Sequence, residues 1–229
     1  MIRIRDLTSP NFDDRPNGGV IDMLVIHYTG MRSAEAAIAR LVDPTAQVSA
    51  HYVIDEEGGV TCLVTEDKRA WHAGVSFWRG AKDINARSIG IELVNPGHEF
   101  GYRPFADAQM RSLEELARGI VARHAIAARN IVGHSDVAPT RKADPGELFD
   151  WRRLAAAGVG LWPAADLEAP DPAEEIGPSL AEIGYDVADL AAATIAFQRH
   201  FAPHRWDGVA DPITRSALAA LIAALKSKS

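Results

Sequence analysis

The 229-residue chain has one cysteine, Cys62, so neither an internal disulfide nor a cysteine-based zinc cluster can form. It lacks any apolar run of about eighteen residues, which excludes a membrane-spanning helix. Positive charge is short: 24 Lys and Arg stand against 31 Asp and Glu, a formal charge of -7. That argues against a nucleic-acid protein, whose phosphate partner needs a basic face. From Leu154 to Gln198 there are eight acids and no Lys or Arg. The remainder therefore sums to about +1, and the acidity belongs to one stretch. The N-terminus, Met1-Ile2-Arg3-Ile4-Arg5-Asp6, has no apolar leader core. As it stands the chain reads as cytoplasmic; a periplasmic chain with its leader removed would read the same. What is plentiful is apolar: 47% hydrophobic residues beside 24% charged rules out wholesale disorder. The length suits one or two domains.

The run Ile21-Asp22-Met23-Leu24-Val25-Ile26-His27 is β-branched and apolar and predicts a buried strand ending in a turn at Tyr28-Thr29-Gly30. Ser33 is placed to cap a helix from Ala34 to Leu41. His51 to Asp55 and Val60 to Val64, split by Glu57-Gly58-Gly59, predict a hairpin. Ser88 to Val94 predicts a fourth strand, and Asn130 to His134 a short last one. Met110, Leu113, Leu116, Ala117, Ile120 and Val121 recur at helical spacing behind Asp107, the expected N-cap. The pattern is α/β: a mixed central sheet flanked by helices, partly antiparallel because of the hairpin. Residues 162–178 change character, with four prolines among acids and alanines, and read as an extended linker between a domain 1–161 and a tail 179–229. In the tail Leu190, Thr194, Phe197 and Phe201 make one helical stripe and Leu218, Leu221, Ile222 and Leu225 another, with Asp211-Pro212 as cap and N1 proline. With a shorter segment from Ser179 to Ile183 this predicts a small three-helix module.

The polar residues sit in unusual places. His27 and His134 end hydrophobic strands, and Glu92 lies within one, where an unpaired carboxylate is costly. Such titratable groups on one sheet suggest a shared site. The loop from Gly133 to Gly146 carries His134 and Asp144 on a segment stiffened by two prolines. Two imidazoles and a carboxylate make a catalytic zinc pattern with a position left for water. Glu92 could then act as general base, and Lys142 could sit over the oxyanion of a tetrahedral intermediate. The competing reading of His27 is a hydrogen-bonded core histidine.

Five segments in order carry a family resemblance: Val25-Ile26-His27-Tyr28-Thr29; Val48 to Ile54; Arg69-Ala70-Trp71-His72-Ala73-Gly74; Ser88 to Leu93; and Gly133-His134-Ser135-Asp136-Val137-Ala138-Pro139, ending in Arg141-Lys142-Ala143-Asp144-Pro145-Gly146. The chain resembles the zinc-dependent N-acetylmuramoyl-L-alanine amidases of the amidase-2 family, similar also to phage T7 lysozyme and the peptidoglycan recognition proteins. The resemblance is nearest to the branch that handles anhydro-muropeptides in cell-wall recycling. It implies Zn2+ held by His27, His134 and Asp144, with Glu92 as catalytic acid/base and Lys142 as electrophilic stabiliser. Phage members carry Cys where this chain has Asp144, and a catalytic Tyr where it has Ala50. Both departures match the recycling branch, in which the strand glutamate takes the tyrosine's role. Trp71 and His72 are candidates to line the substrate groove, and Arg141 to bind a peptide carboxylate.

The tail resembles the small three-helix peptidoglycan-binding module, through Ala196-Phe197-Gln198-Arg199 and Asp207-Gly208. It is expected either to bind wall material or to pack as a stabilising appendage. Two rival readings accompany the recycling amidase: an exported amidase acting on intact wall, and a recognition module that keeps the groove and loses the metal. In each the partner is a muropeptide or peptidoglycan, with no nucleic acid and no membrane insertion.

Overall fold

The computed structural model describes residues 4–16, 19–163 and 175–226. In chain order the first strands are β1 (Ile4–Asp6), β2 (Phe12–Asp14) and β3 (Met23–Tyr28), followed by helix α1 (Ala34–Val42). Next come β4 (Tyr52–Ile54), β5 (Val60–Cys62), β6 (Lys68–Ala70), β7 (Ser88–Leu93), α2 (Gly97–Phe100), α3 (Asp107–His124), β8 (Ile131–Gly133), α4 (His134–Val137) and α5 (Trp151–Ala156). The tail holds α6 (Gly177–Ile183), α7 (Leu190–Phe201) and α8 (Pro212–Lys226). Six strands form the main sheet in the order β1-β5-β4-β7-β3-β8; β2 and β6 pair separately. The β4–β5 hairpin is antiparallel, whereas β4, β7, β3 and β8 run parallel. This is a mixed α/β fold with helices on both faces of the sheet.

Alternation along the strands decides which helices cover which face. Leu24 and Ile26 of β3 join Ile89, Ile91 and Leu93 of β7 in a core with Met110, Leu113, Leu116 and Ile120 of α3. Burying each such side chain contributes about 1.5–3 kcal/mol. Met23 and Val25 point the other way, into a core shared with Leu180, Ile183, Phe197, Phe201, Leu218 and Leu221 of the tail. The three tail helices thus close the second face of the sheet. Among the described residues no helix is long and apolar enough to cross a membrane.

Several local expectations shift. Ser33 does cap α1, its Oγ accepting from the Ala36 amide at 3.2 Å. Asp107 is not the N-cap of α3 but its first residue; Ala106 precedes it, and the Asp107 carboxylate is drawn instead to Arg111 and Arg153. His134 is not the end of β8 but the start of α4. Helix α5 was not expected; its Trp151 and Leu154 belong to the first core. Gly177 and Pro178, read as linker, open α6, with proline where a missing N–H is harmless. Residues 164–174, the heart of the expected linker, lie outside the described residues. His200 of α7 is only 3% exposed, stacked on Trp151 and Phe201.

Candidate active site

Strand register assembles the site. The parallel β3–β7 pairing sets His27 opposite Glu92. The β3–β8 pairing sets Ile26 opposite Gly133, so His134 is the next residue in line beside His27. By alternation Ser88, Gly90 and Glu92 share the face opposite to Ile89 and Ile91. The site therefore lies at the carboxyl ends of parallel strands, where the chain leaves the sheet and ligands commonly bind. Asp144 arrives from the loop after α4, whose carbonyl accepts from the Ser135 amide at 2.8 Å. The approach is close enough to require glycine at 133, because a Cβ there would stand 2.6 Å from Cδ of Pro145.

The structure brings His27, His134 and Asp144 together, one donor atom from each lying within 4.8 Å of the others. His27 Nδ1 is 2.9 Å from His134 Nδ1, and each is 3.0 Å from Asp144 Oδ2. All three residues are buried. His134 Nε2–H donates to the Ala73 carbonyl at 3.0 Å, which leaves its Nδ1 as a lone pair facing the carboxylate. A lone pair and a carboxylate oxygen at that distance repel unless a cation lies between them, so the donor set fits a divalent metal ion. Burial first, and then His134, push His27 down to about 4, so its ring is neutral and ligand-competent.

Glu92 and Lys142 line the same groove, of about 420 Å3, as His134 and Asp144. Glu92 Oε2 is buried with no hydrogen-bond partner. Burial, and then the Asp144 carboxylate, push the Glu92 carboxyl up to about 8. Trp71, His72 and Arg141 also border the groove. Trp71 is anchored by its backbone to Ser49. Arg141 is tied by its guanidinium to the carbonyls of Ala73 and Val75. His72 lies beneath the surface, its Nδ1 3.0 Å from His27 Nε2. Among the groove residues that escaped the sequence reading are Tyr28 and Arg40. Tyr28, bonded through its hydroxyl to His98 Nδ1 at 2.8 Å, directly follows His27 and was detectable on that ground. Arg40 sits on the exposed face of α1 and gave no signal.

Fold and site together define a class: an α/β domain with a His-His-Asp cluster that could hold a metal ion, beside a desolvated carboxylate. Residues 17–147 match the family model Amidase_2, N-acetylmuramoyl-L-alanine amidase, and the chain belongs to that family. It is 38% identical to the N-acetylmuramoyl-L-alanine amidase AmiD of Escherichia coli (strain K12), over 88% of this chain and 82% of that one. It is 39% identical to the 1,6-anhydro-N-acetylmuramyl-L-alanine amidase AmpD of Haemophilus influenzae, over 67% of this chain and 91% of that one. The solved structure of Escherichia coli AmiD, in complex with the substrate anhydro-N-acetylmuramic acid-L-Ala-D-γ-Glu-L-Lys, superposes with a TM-score of 0.80 at 37% identity. That match covers 93% of this chain and 92% of AmiD.

Proposed function

We propose that this protein is a zinc-dependent amidase that cleaves the bond between N-acetylmuramic acid and the L-alanine of its stem peptide. Its substrates are 1,6-anhydro-muropeptides released in peptidoglycan recycling. The observation that carries the reading is the convergence of His27, His134 and Asp144 beside an unpartnered, desolvated Glu92 in one groove. The anhydro preference is supported by the substrate held in the AmiD structure and by the substrate in the name of AmpD.

His27, His134 and Asp144 would hold the ion. Bound there, zinc supplies a Lewis acid that polarises the amide carbonyl and makes water acidic near neutral pH. Glu92 takes the proton of the attacking water and returns it to the leaving L-alanine nitrogen. A carboxyl pushed up to about 8 suits both halves of that exchange. The Lys142 ammonium offsets the negative charge that grows on the carbonyl oxygen. A C–O bond forms and the C–N bond breaks, giving a muramic carboxylic acid and a peptide with a free amine. Trp71 flanks the substrate, and Arg141 offers its remaining guanidinium donors to a peptide carboxylate.

The organisation that accompanies this reading is a catalytic unit over 1–161, a linker over 162–178 and a peptidoglycan-binding-like tail over 179–229. The core shared by tail and sheet favours a stabilising part for the tail. The test is a mass-spectrometric digest of anhydro and ordinary muropeptides by metal-stripped and zinc-reloaded protein. Zinc-dependent release of free stem peptide, faster from the anhydro form, is expected. No cleavage of either substrate by zinc-loaded protein would leave only a recognition module.

A further inference from the structure

Neutral imidazole carries one proton, and the nitrogen that holds it cannot ligate. For His134 the Ala73 carbonyl settles the matter, as described above. For His27 the partner of Nε2 is another histidine, so the answer depends on where His72 keeps its own proton. His72 Nε2 lies 3.1 Å from Ser88 Oγ. The Ser88 hydroxyl has a single proton and donates it to the Ile84 carbonyl at 2.7 Å. Toward His72 it can only accept, so His72 carries its proton on Nε2. Its Nδ1 is then a lone pair, 3.0 Å from His27 Nε2, and accepts the His27 proton there. This leaves His27 Nδ1 bare and turned toward His134 and Asp144.

We infer that Ser88 and His72 form a hydrogen-bond relay that fixes His27 in its ligating tautomer, which makes His72 a positioning residue of the metal centre. The inference rests on the reading of His27 as a metal ligand. Two further observations fit it. The His72 and Ala73 amides both donate to Asn85 Oδ1, at 3.2 and 2.8 Å, which holds the segment still. The ring also lies directly over Gly90, where a Cβ would stand 2.5 Å from His72 Cγ. Three alternate positions on one face of β7 thus serve one centre: Ser88 anchors the relay, Gly90 makes room for it, and Glu92 faces the groove. The segment Trp71-His72-Ala73-Gly74 sets both histidine tautomers, one through a side chain and one through a carbonyl.

The test uses the full chain and reads zinc affinity by chelator competition, independently of turnover. His72→Phe removes the acceptor and should weaken zinc binding by about 10–100-fold. His72→Asn places Oδ1 near the lost Nδ1 and should recover most of that affinity. Nitrogen-15 NMR of zinc-loaded wild-type protein should show both His72 and His27 protonated on Nε2, and Ser88→Ala should release His72 into a mixture of tautomers. His72 found protonated on Nδ1 in the wild type, or His72→Phe binding zinc like the wild type, overturns the relay. If His72→Phe does not fold, the wild-type spectrum decides alone. Failure of the wild type itself to bind zinc overturns the reading of the site, and the relay with it.

Discussion

Replacing Glu92 by Gln keeps the shape of the side chain and removes its ability to carry a proton. Two effects of opposite sign should follow. Loss of the acid/base should lower turnover by about 10²–10⁴-fold, or about 2.7–5.5 kcal/mol of transition-state stabilisation. Zinc should stay bound, because the ligand set is intact. The second effect is on stability. Burial, and then Asp144, raise the carboxyl from 4.5 to about 8, so between those values the metal-free folded state holds a proton that the unfolded state loses. The Glu92 contribution to stability is therefore fully present below 4.5 and is lost as pH rises toward 8. At pH 7 the loss is at most about 3 kcal/mol. Partial opening of the side chain to the groove reduces it to about 1–2 kcal/mol. The Gln variant escapes it, and its Tm should exceed the wild type's by about 2–8 °C at pH 7. Tm measured from pH 4 to 8 with chelator present, alongside turnover and zinc content, checks both effects. Near-normal turnover would remove Glu92 from the chemistry. A Tm difference that does not change with pH would remove the desolvated carboxylate.

Lys142→Ala should lower kcat by about 10²–10³-fold while zinc content stays at the wild-type level. Glu66, which does not line the groove, provides an acid-stability test. Burial works against its ionisation, but Arg123, His124 and Tyr52 outweigh it and bring the carboxyl from 4.5 down to about 2. Its contribution is present above 4.5 and lost as pH falls to about 2. Glu66→Gln should thus cost about 1–3 kcal/mol in urea unfolding at pH 6, with the gap closing toward pH 2. Tyr185→Phe removes the hydroxyl that donates to the buried Asp136 Oδ1 at 2.6 Å. It should cost about 1–3 kcal/mol. Because Asp136 Oδ2 also accepts from His200 and from the Gly133 amide, tail and sheet should still melt in one calorimetric transition. Two separated transitions would contradict the shared core.

Much of the fold was legible because periodicity is local. The apolar runs around Met23–Tyr28 and Ser88–Leu93 could only be buried strands, and the stripe from Met110 to Ile120 could only face a core. The candidate ligands were legible because histidines and a carboxylate at the ends of such strands have few cheap places to go. The sequence alone thus determined the main buried strands and helical stripes, the family and the chemistry of the donor set. Tertiary structure alone decided that His27 stands across from Glu92, since strand register is a long-range choice that a one-residue slip would reverse. It alone made His72 a neighbour of His27 as well as a groove residue, because Ser88 and Gly90 come beside it only when Trp71–Gly74 folds back over β7. It alone laid the tail on the second face of the sheet and buried His200 against Asp136. Spacing along the chain fixes which side of an element is apolar; which apolar sides meet is settled by packing between residues far apart in sequence.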